Sequence, residues 1–455
     1  MRVVHVSPTD VEGGAPRGAY NLHKALCAAG AESLMLVQRK YSDDPTVLTP
    51  GGAPRTIYDA LRDRLDRVPL RLYDWQSHNW WTVGWLPFDV SGAIHRLKPD
   101  VVQFHWVGRG AVPFKTLARV SRYPIVWTLR DMWPLTGGCH YSGGCDKFAT
   151  GCGACPQLGS RREFDLSRWQ WRRKHRAWKG VAITYVALSR WMAACARRSP
   201  LTHGNEVTII PNGVDVERYA PVDKAAARAA WHLPRDKRIV LFGANNSTTD
   251  PRKGFAYLSQ ALQILAARGW AERALAVVFG ARAGAPRVGL DVRYMGYLRD
   301  DVSLALLYAG ADVMVVPSTE ENFGKTAIEA MACGVPVTVF ANTGQFDIVD
   351  HKVNGYLAEN LSAPDLAQGI AWCLEEGAKG DGLGRRAREK AVRCFDIRTI
   401  AGRHLSLYHR LLEERCRVAD AMAGEAGASG LSRAVSALSF GVDEAAVPPR
   451  SRSVR

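Results

Sequence analysis

The sequence predicts an α/β protein of two doubly wound domains, and three stretches predict it. Near the start, Val3–Val6 reads as a short strand. The glycine-rich loop Gly13-Gly14-Ala15-Pro16-Arg17-Gly18 follows, then a helix over about Ala19–Ala29 and a strand at Leu34–Val37. Strand, glycine loop, helix, strand opens a doubly wound domain. Far downstream, Ala311–Val316 (ADVMVV) is β-branched, apolar and ended by Pro317, the pattern of a short buried strand. A helix follows over Thr326–Cys333, stopped by Gly334 and Pro336. Between these two units Pro211-Asn212-Gly213 marks a turn, and the domain boundary is placed near residue 205.

A chain of 455 residues has room for two or three domains, each large enough to bury a core. Hydrophobic content of 47% and charged content of 23% are those of a soluble globular protein. No run approaches the roughly 20 apolar residues of a membrane span. MRVVHVSPTD enters a strand without the apolar core of a signal peptide, so a cytoplasmic location is expected. The formal charge of +16 calls for an acidic partner, and nucleic acid, anionic headgroups and diphosphate substrates all qualify.

In the first domain, Pro99–Trp106 and Pro124–Leu129 read as strands with polar residues at their carboxyl ends. Ligands of open parallel sheets bind beyond such ends, so His105, Arg130 and Asp131 stand where function is expected. A buried role for His105 fits equally well. Residues 41–92 lack periodicity and carry many aromatics, as an inserted loop would. Ile183–Leu188 is the last strand assigned to this domain.

The second domain opens with a strand at Arg238–Phe242, a polar loop, and Arg252-Lys253-Gly254 at a helix start. Two cations at a helix N-terminus oppose the dipole unless an anion binds there. Leu275–Phe279 and Val292–Met295 are further strands. After the strand at Ala311–Val316 comes Glu321-Asn322-Phe323-Gly324-Lys325-Thr326, a glycine turn at a helix N-terminus where free N–H groups suit a phosphate. Glu321 and Glu329, eight residues apart, would repel a bare anion, so the ligand must also offer hydroxyls. A nucleoside diphosphate sugar meets both demands.

This phrase closely resembles the E-x7-E motif of glycosyltransferase family 4, retaining enzymes of the GT-B fold, in which two Rossmann-like domains face each other across a cleft. The resemblance covers residues 1 to about 415. It implies that Glu321 holds donor-sugar hydroxyls, that Glu329 holds the ribose, and that Asn322, Phe323, Gly324, Lys325 and Thr326 form the donor loop. It further implies that Gly13 and Gly14 lie beside the donor phosphates and that Lys253 neutralises the diphosphate. The family's companion arginine is missing near Asn245, leaving Arg252 as a substitute. Asp131 matches the family's His-Asp pair, but Arg130 stands at the histidine position, where no proton can be handled near neutral pH. Glu321, Lys253 and Asp131 are thus the expected catalytic residues, with His105 and Arg130 on the acceptor side. No D-x-D occurs, so no catalytic metal is expected. The expected domains are 1–204 on the acceptor side, 205–394 on the donor side, a helix over 395–417 crossing back, and a disordered tail, 418–455.

Cys139, Cys145, Cys152 and Cys155 fall within 17 residues of a glycine-rich loop, 137–157. The last pair is C-x2-C, a zinc-like spacing, although a packed thiol cluster or a redox pair also fits. The run around these cysteines resembles one subgroup, the WcaC-type transferases of colanic-acid exopolysaccharide assembly. Residues 160–179 interleave Arg and Lys with Trp169, Trp171 and Trp178. This is either a solvated helix face with inward tryptophans or a patch for anionic membrane or a lipid-linked saccharide acceptor. No nucleic-acid module accompanies it. A non-catalytic sugar-nucleotide or polysaccharide binder of the same fold is the alternative function.

Overall fold

The computed structural model describes residues 1–50, 61–62, 64–75, 80–86, 89–108, 110–281, 289–298, 300–380 and 382–438. The chain divides into two compact units, Met1–Leu405 and Ser406–Arg455, and both sheets lie in the first. The first sheet uses β1 (Arg2–Thr9), β2 (Glu32–Arg39), β3 (Val47–Leu48), β4 (Val101–Phe104), β5 (Ile125–Leu129), β6 (Thr184–Ala187) and β7 (Val207–Ile209). Their order is β3-β2-β1-β4-β5-β6-β7, and every pairing is parallel. The second sheet uses β8 (Arg238–Gly243), β9 (Ala274–Phe279), β10 (Asp291–Tyr294), β11 (Val313–Val316), β12 (Val337–Phe340) and β13 (Gly355–Ala358). Its order is β10-β9-β8-β11-β12-β13, again all parallel.

Parallel strands covered on both faces need apolar residues throughout. The central strands comply, as in β11, where Val313, Met314 and Val315 are fully buried. Strand order reverses between β1 and β4 in one sheet and between β8 and β11 in the other. Those are the crevices where doubly wound sheets bind ligands.

Three expectations need correction. β7 pairs with β6 through Tyr185↔Val207, Val186↔Thr208 and Ala187↔Ile209, so the boundary lies after this strand and not near residue 205. A three-residue edge strand carries too little pattern to be assigned to either side. The helix that begins at Ile397 runs to Leu438, so residues 418–438 are helical where a disordered tail was expected; 439–455 lie outside the described residues. The donor-loop helix spans Lys325–Ala332, one residue earlier than expected. On this helix, Arg403 donates to the Ile209 carbonyl of β7 (2.6 Å).

The helix Leu166–Trp178 resolves the basic, tryptophan-rich stretch into two faces. Lys174 and Trp178 are buried, while Phe164 just before the helix and Trp169 on it face solvent. No helix among the described residues is long and apolar enough to cross a membrane.

A buried histidine makes the fold sensitive to acid. His23, on the helix Gly14–Ala28, has its ring nitrogens 2.8 Å from Ser33 Oγ and 2.8 Å from Thr46 Oγ1. Burial pushes its pKa down to about 4. In the unfolded chain it titrates near 6.5. Between those values the unfolded state holds the extra proton, so stability rises with pH across the window and is flat outside it. The full shift is worth on the order of 3 kcal/mol. Melting His23→Gln beside wild type from pH 4 to 6.5 should give the variant a visibly shallower rise in Tm. Equal slopes would remove His23 from this account.

Candidate functional site

The two crevices open onto one cavity of about 260 Å³, lined from the first domain by Gly13, Gly14, Arg130 and Asp131 and from the second by Asn245, Arg252 and Lys253. β1 delivers the glycine turn directly. Gly13 (φ 95°) caps the helix Gly14–Ala28 with its carbonyl on Arg17 N (3.1 Å). A Cβ built on Gly14 meets nothing within 4 Å, so packing within the protein does not require glycine there. The space in front of it belongs to the cavity.

On the opposite side, Asp250 starts the 3-10 turn Pro251–Lys253 by accepting from Arg252 N (3.1 Å), and it also holds the Arg252 guanidinium (2.6 Å). Gly254 (φ 72°) then turns the chain into the helix Phe255–Leu265 against Pro317 at the end of β11. That close approach brings Lys253 Nζ to 2.6 Å from Glu321 Oε2. Burial would raise the Glu321 pKa, but Lys253, Arg252 and the Gly324 N–H outweigh it and hold the carboxyl below its usual range. A carboxylate thus already occupies the N–H at the helix start, with two cations beside it.

The pattern of the family described as Glycosyltransferase Family 4 matches residues 12–218, and that of Glycosyl transferases group 1 matches 223–390. The D-inositol 3-phosphate glycosyltransferase of Thermobispora bispora is 26% identical over 445 residues, 90% of this chain and 94% of its own length. The two halves of the chain thus each match one glycosyltransferase pattern. A protein of the same description from Saccharomonospora viridis is 34% identical over 224 residues, 45% of this chain. The match spans only half (50%) of that relative. Among solved structures, a sucrose-phosphate synthase from Thermosynechococcus elongatus superposes with TM-score 0.62 at 21% identity, covering 91% of this chain and 99% of the other. Anabaena HepE, solved with UDP and glucose, gives 0.58 at 19%, covering 90% and 100%. These establish the fold as GT-B. The relatives carry inositol-phosphate names and are not specifically of the WcaC type.

Within this chain, the expected residues divide. Gly13, Gly14, Asp131, Arg130, Arg252 and Lys253 line the common cavity, and Glu321 joins it through Lys253. Glu329 is buried behind the loop, where it accepts from Tyr308 Oη (3.0 Å) and pairs with Lys325 Nζ (2.9 Å). Lys325 is therefore engaged with a glutamate of its own helix. Thr326 sits half-buried in the first turn, and Gly324 (φ 70°) is the cap. Two expected donor contacts serve the framework: Asn322 Nδ2 donates to the Leu129 carbonyl of the other domain (2.7 Å), and the buried Phe323 ring packs edge-on against Phe395.

His105 and Arg130 are both engaged by other protein groups. His105 is buried outside the cavity lining, with Nε2 2.9 Å from His5 Nδ1, and burial first, then Arg130, keeps its pKa well below the usual value. Arg130 reaches the cavity but is committed to Asn212 Oδ1 in the interdomain turn and to His105 Nδ1 (3.4 Å); burial pushes it down to about 9. Gly18 leaves the room it needs, since a Cβ there would stand 2.6 Å from Arg130 Nη1.

Sequence reasoning did not identify which residues of the cysteine loop reach the site. Asp131 meets His140 Nδ1, and His140 Nε2 lies 2.8 Å from Thr82 Oγ1. Tyr141 lies under the Arg252 guanidinium, 4.0 Å from its ring centre. Ser142 N (2.9 Å) and Gly143 N (2.8 Å) donate to Glu320, the neighbour of Glu321. Four consecutive loop residues therefore touch site residues. The only signal was the adjacency of His140 to Cys139.

Proposed function

We propose that this chain transfers a sugar from a nucleoside diphosphate donor to a hydroxyl of a saccharide or lipid-linked saccharide acceptor, with retention at the anomeric carbon. The observation that carries this reading is the Lys253–Glu321 pair. A cation and a sugar-gripping carboxylate stand together at the facing strand ends, with Arg252 beside them and Gly14 opposite. The C1–O bond to the diphosphate breaks and a C1–O bond to the acceptor forms, while the acceptor proton passes to the departing phosphate oxygen. Lys253 and Arg252 stabilise the charge that grows on that phosphate. With nucleophile and leaving group on one face, no separate base is needed. Glu329 holds the ribose from behind the loop, exchanging its Lys325 or Tyr308 contact for the sugar hydroxyls.

HepE was solved with UDP and glucose, so UDP-sugars head the donor panel. The inositol-phosphate relatives place a phosphorylated cyclitol beside saccharides among the acceptors to try. A role in exopolysaccharide assembly rests on the cysteine-loop resemblance.

Thermal stabilisation by UDP-, GDP-, ADP- and dTDP-sugars is the direct test, with Glu329→Gln alongside. A donor at 100 times its Kd should add about 2.7 kcal/mol. One nucleotide class is expected to stabilise wild type and to lose most of that effect in the variant. Stabilisation by none, in the presence or absence of acceptor candidates, would overturn the donor site.

A further inference from the structure

The cysteine loop holds a second, separate cavity. It is small, about 20 Å³, and Cys139, Cys145, Cys152 and Cys155 all line it, although 16 positions separate the first from the last. None of the four is in a disulfide. The space suits one ion and no organic ligand.

Burial pushes the Cys139, Cys152 and Cys155 thiols up, but hydrogen-bond donors already stand beside two of the sulfurs. Gly137 N donates to Cys152 Sγ (3.1 Å), and the N–H groups of Leu158 and Gln157 are directed at Cys155. Such bonds fix and stabilise metal-bound thiolates. The C-x2-C turn is built from four consecutive left-handed residues, Gly151 (φ 94°), Cys152 (61°), Gly153 (101°) and Ala154 (42°). Left-handed backbone at Cys152 and Ala154 is strained for residues that carry a Cβ, and the site must offset that strain.

Beneath the loop, the Lys174 side chain is completely buried. Its ammonium donates to the Trp133 (2.5 Å) and Thr136 (3.0 Å) carbonyls, burial pushes its pKa down to about 7, and the titratable groups facing it are Cys152, Cys139 and Asp131. A tetrathiolate around a divalent ion carries a net charge of −2 and would be complemented by such a cation.

Among the described residues, no three possible ligands are already drawn onto a common centre. The sulfurs flank the cavity and must turn inward to bind.

We propose that Cys139, Cys145, Cys152 and Cys155 hold one zinc ion, and that the ion fixes His140–Gly143 against Asp131, Arg252 and Glu320. Zinc takes four thiolates tetrahedrally at about 2.3 Å. The four donors all come from the loop, which leaves no open position for substrate, so the role is orientation of the loop. The second half of the proposal rests on the donor-site reading, whereas the first does not.

The test uses the full chain without a polyhistidine tag, purified in reductant. Elemental analysis should find about one zinc per chain, and exchange with cobalt should give the intense thiolate-to-cobalt band of a tetrahedral sulfur site. Cys145→Ser and Cys152→Ser should each lose most of the zinc, while Cys416→Ser keeps it. Zinc below about a tenth per chain, iron in its place, or cobalt binding without a thiolate band would overturn the assignment. Should the serine variants fail to fold, the wild-type metal content and cobalt spectrum decide alone. Removing zinc from wild type should weaken UDP binding about tenfold; unchanged UDP affinity with stoichiometric zinc would refute the orienting role and leave the site.

Discussion

Lys253→Ala should lower turnover of the nucleotide sugar by ~10²–10³-fold, and the loss should fall mainly on kcat. The leaving diphosphate gains negative charge as the C1–O bond stretches, so a cation placed there gains more in the transition state than in the ground state. Lys253 is held 2.6 Å from Glu321. Alanine therefore also leaves that carboxylate with Arg252 as its nearest named cation, and some donor affinity will be lost with it. Lys253→Arg should recover part of the rate, because charge returns but the compact ammonium geometry does not. Hydrolysis of the donor by water, measured without acceptor, keeps the test independent of the acceptor's identity. Turnover within about threefold of wild type would remove Lys253 from the chemistry.

The legible parts of this protein were those specified by neighbours in sequence. The strand ended by Pro317, the glycine cap at Gly324 and the cations at the turn before Gly254 are local features, and each lies where local chemistry puts it. The illegible parts depended on distant partners. Asn322 looks like a donor ligand until Leu129, 193 positions away, supplies a carbonyl for its amide. His105 looks like a site residue until His5 covers it from 100 positions away. Asp131 was expected beside a histidine in sequence, and Arg130 stood there; the structure brings His140 to Asp131 from the cysteine loop instead. A one-dimensional pattern identifies the residue types of a site but not which of their hydrogen bonds the framework already uses.

Glycines show the same distinction in a form that one substitution can separate. Gly254→Ala should be among the most damaging changes in the donor domain. Its Cβ would lie 1.7 Å from the Pro317 carbonyl oxygen and 2.7 Å from the carbonyl carbon, both backbone atoms, in a residue with φ 72°. Neither contact can be relieved by rotating a side chain. Either the turn carrying Arg252 and Lys253 or the end of β11 must move, and the Lys253–Glu321 contact depends on both. A loss of about 3 kcal/mol or more is expected, together with loss of donor-induced stabilisation. Gly14→Ala should behave in the opposite way. No protein atom lies within 4 Å of its Cβ, and alanine at a helix start is if anything favourable. Its melting temperature should equal or exceed that of wild type while donor affinity falls, because the methyl group enters the part of the cavity proposed for the donor phosphates. If Gly14→Ala binds donor as wild type does, the glycine turn has no part in the site. If Gly254→Ala melts as wild type does, the close approach that places Lys253 is not what holds it there.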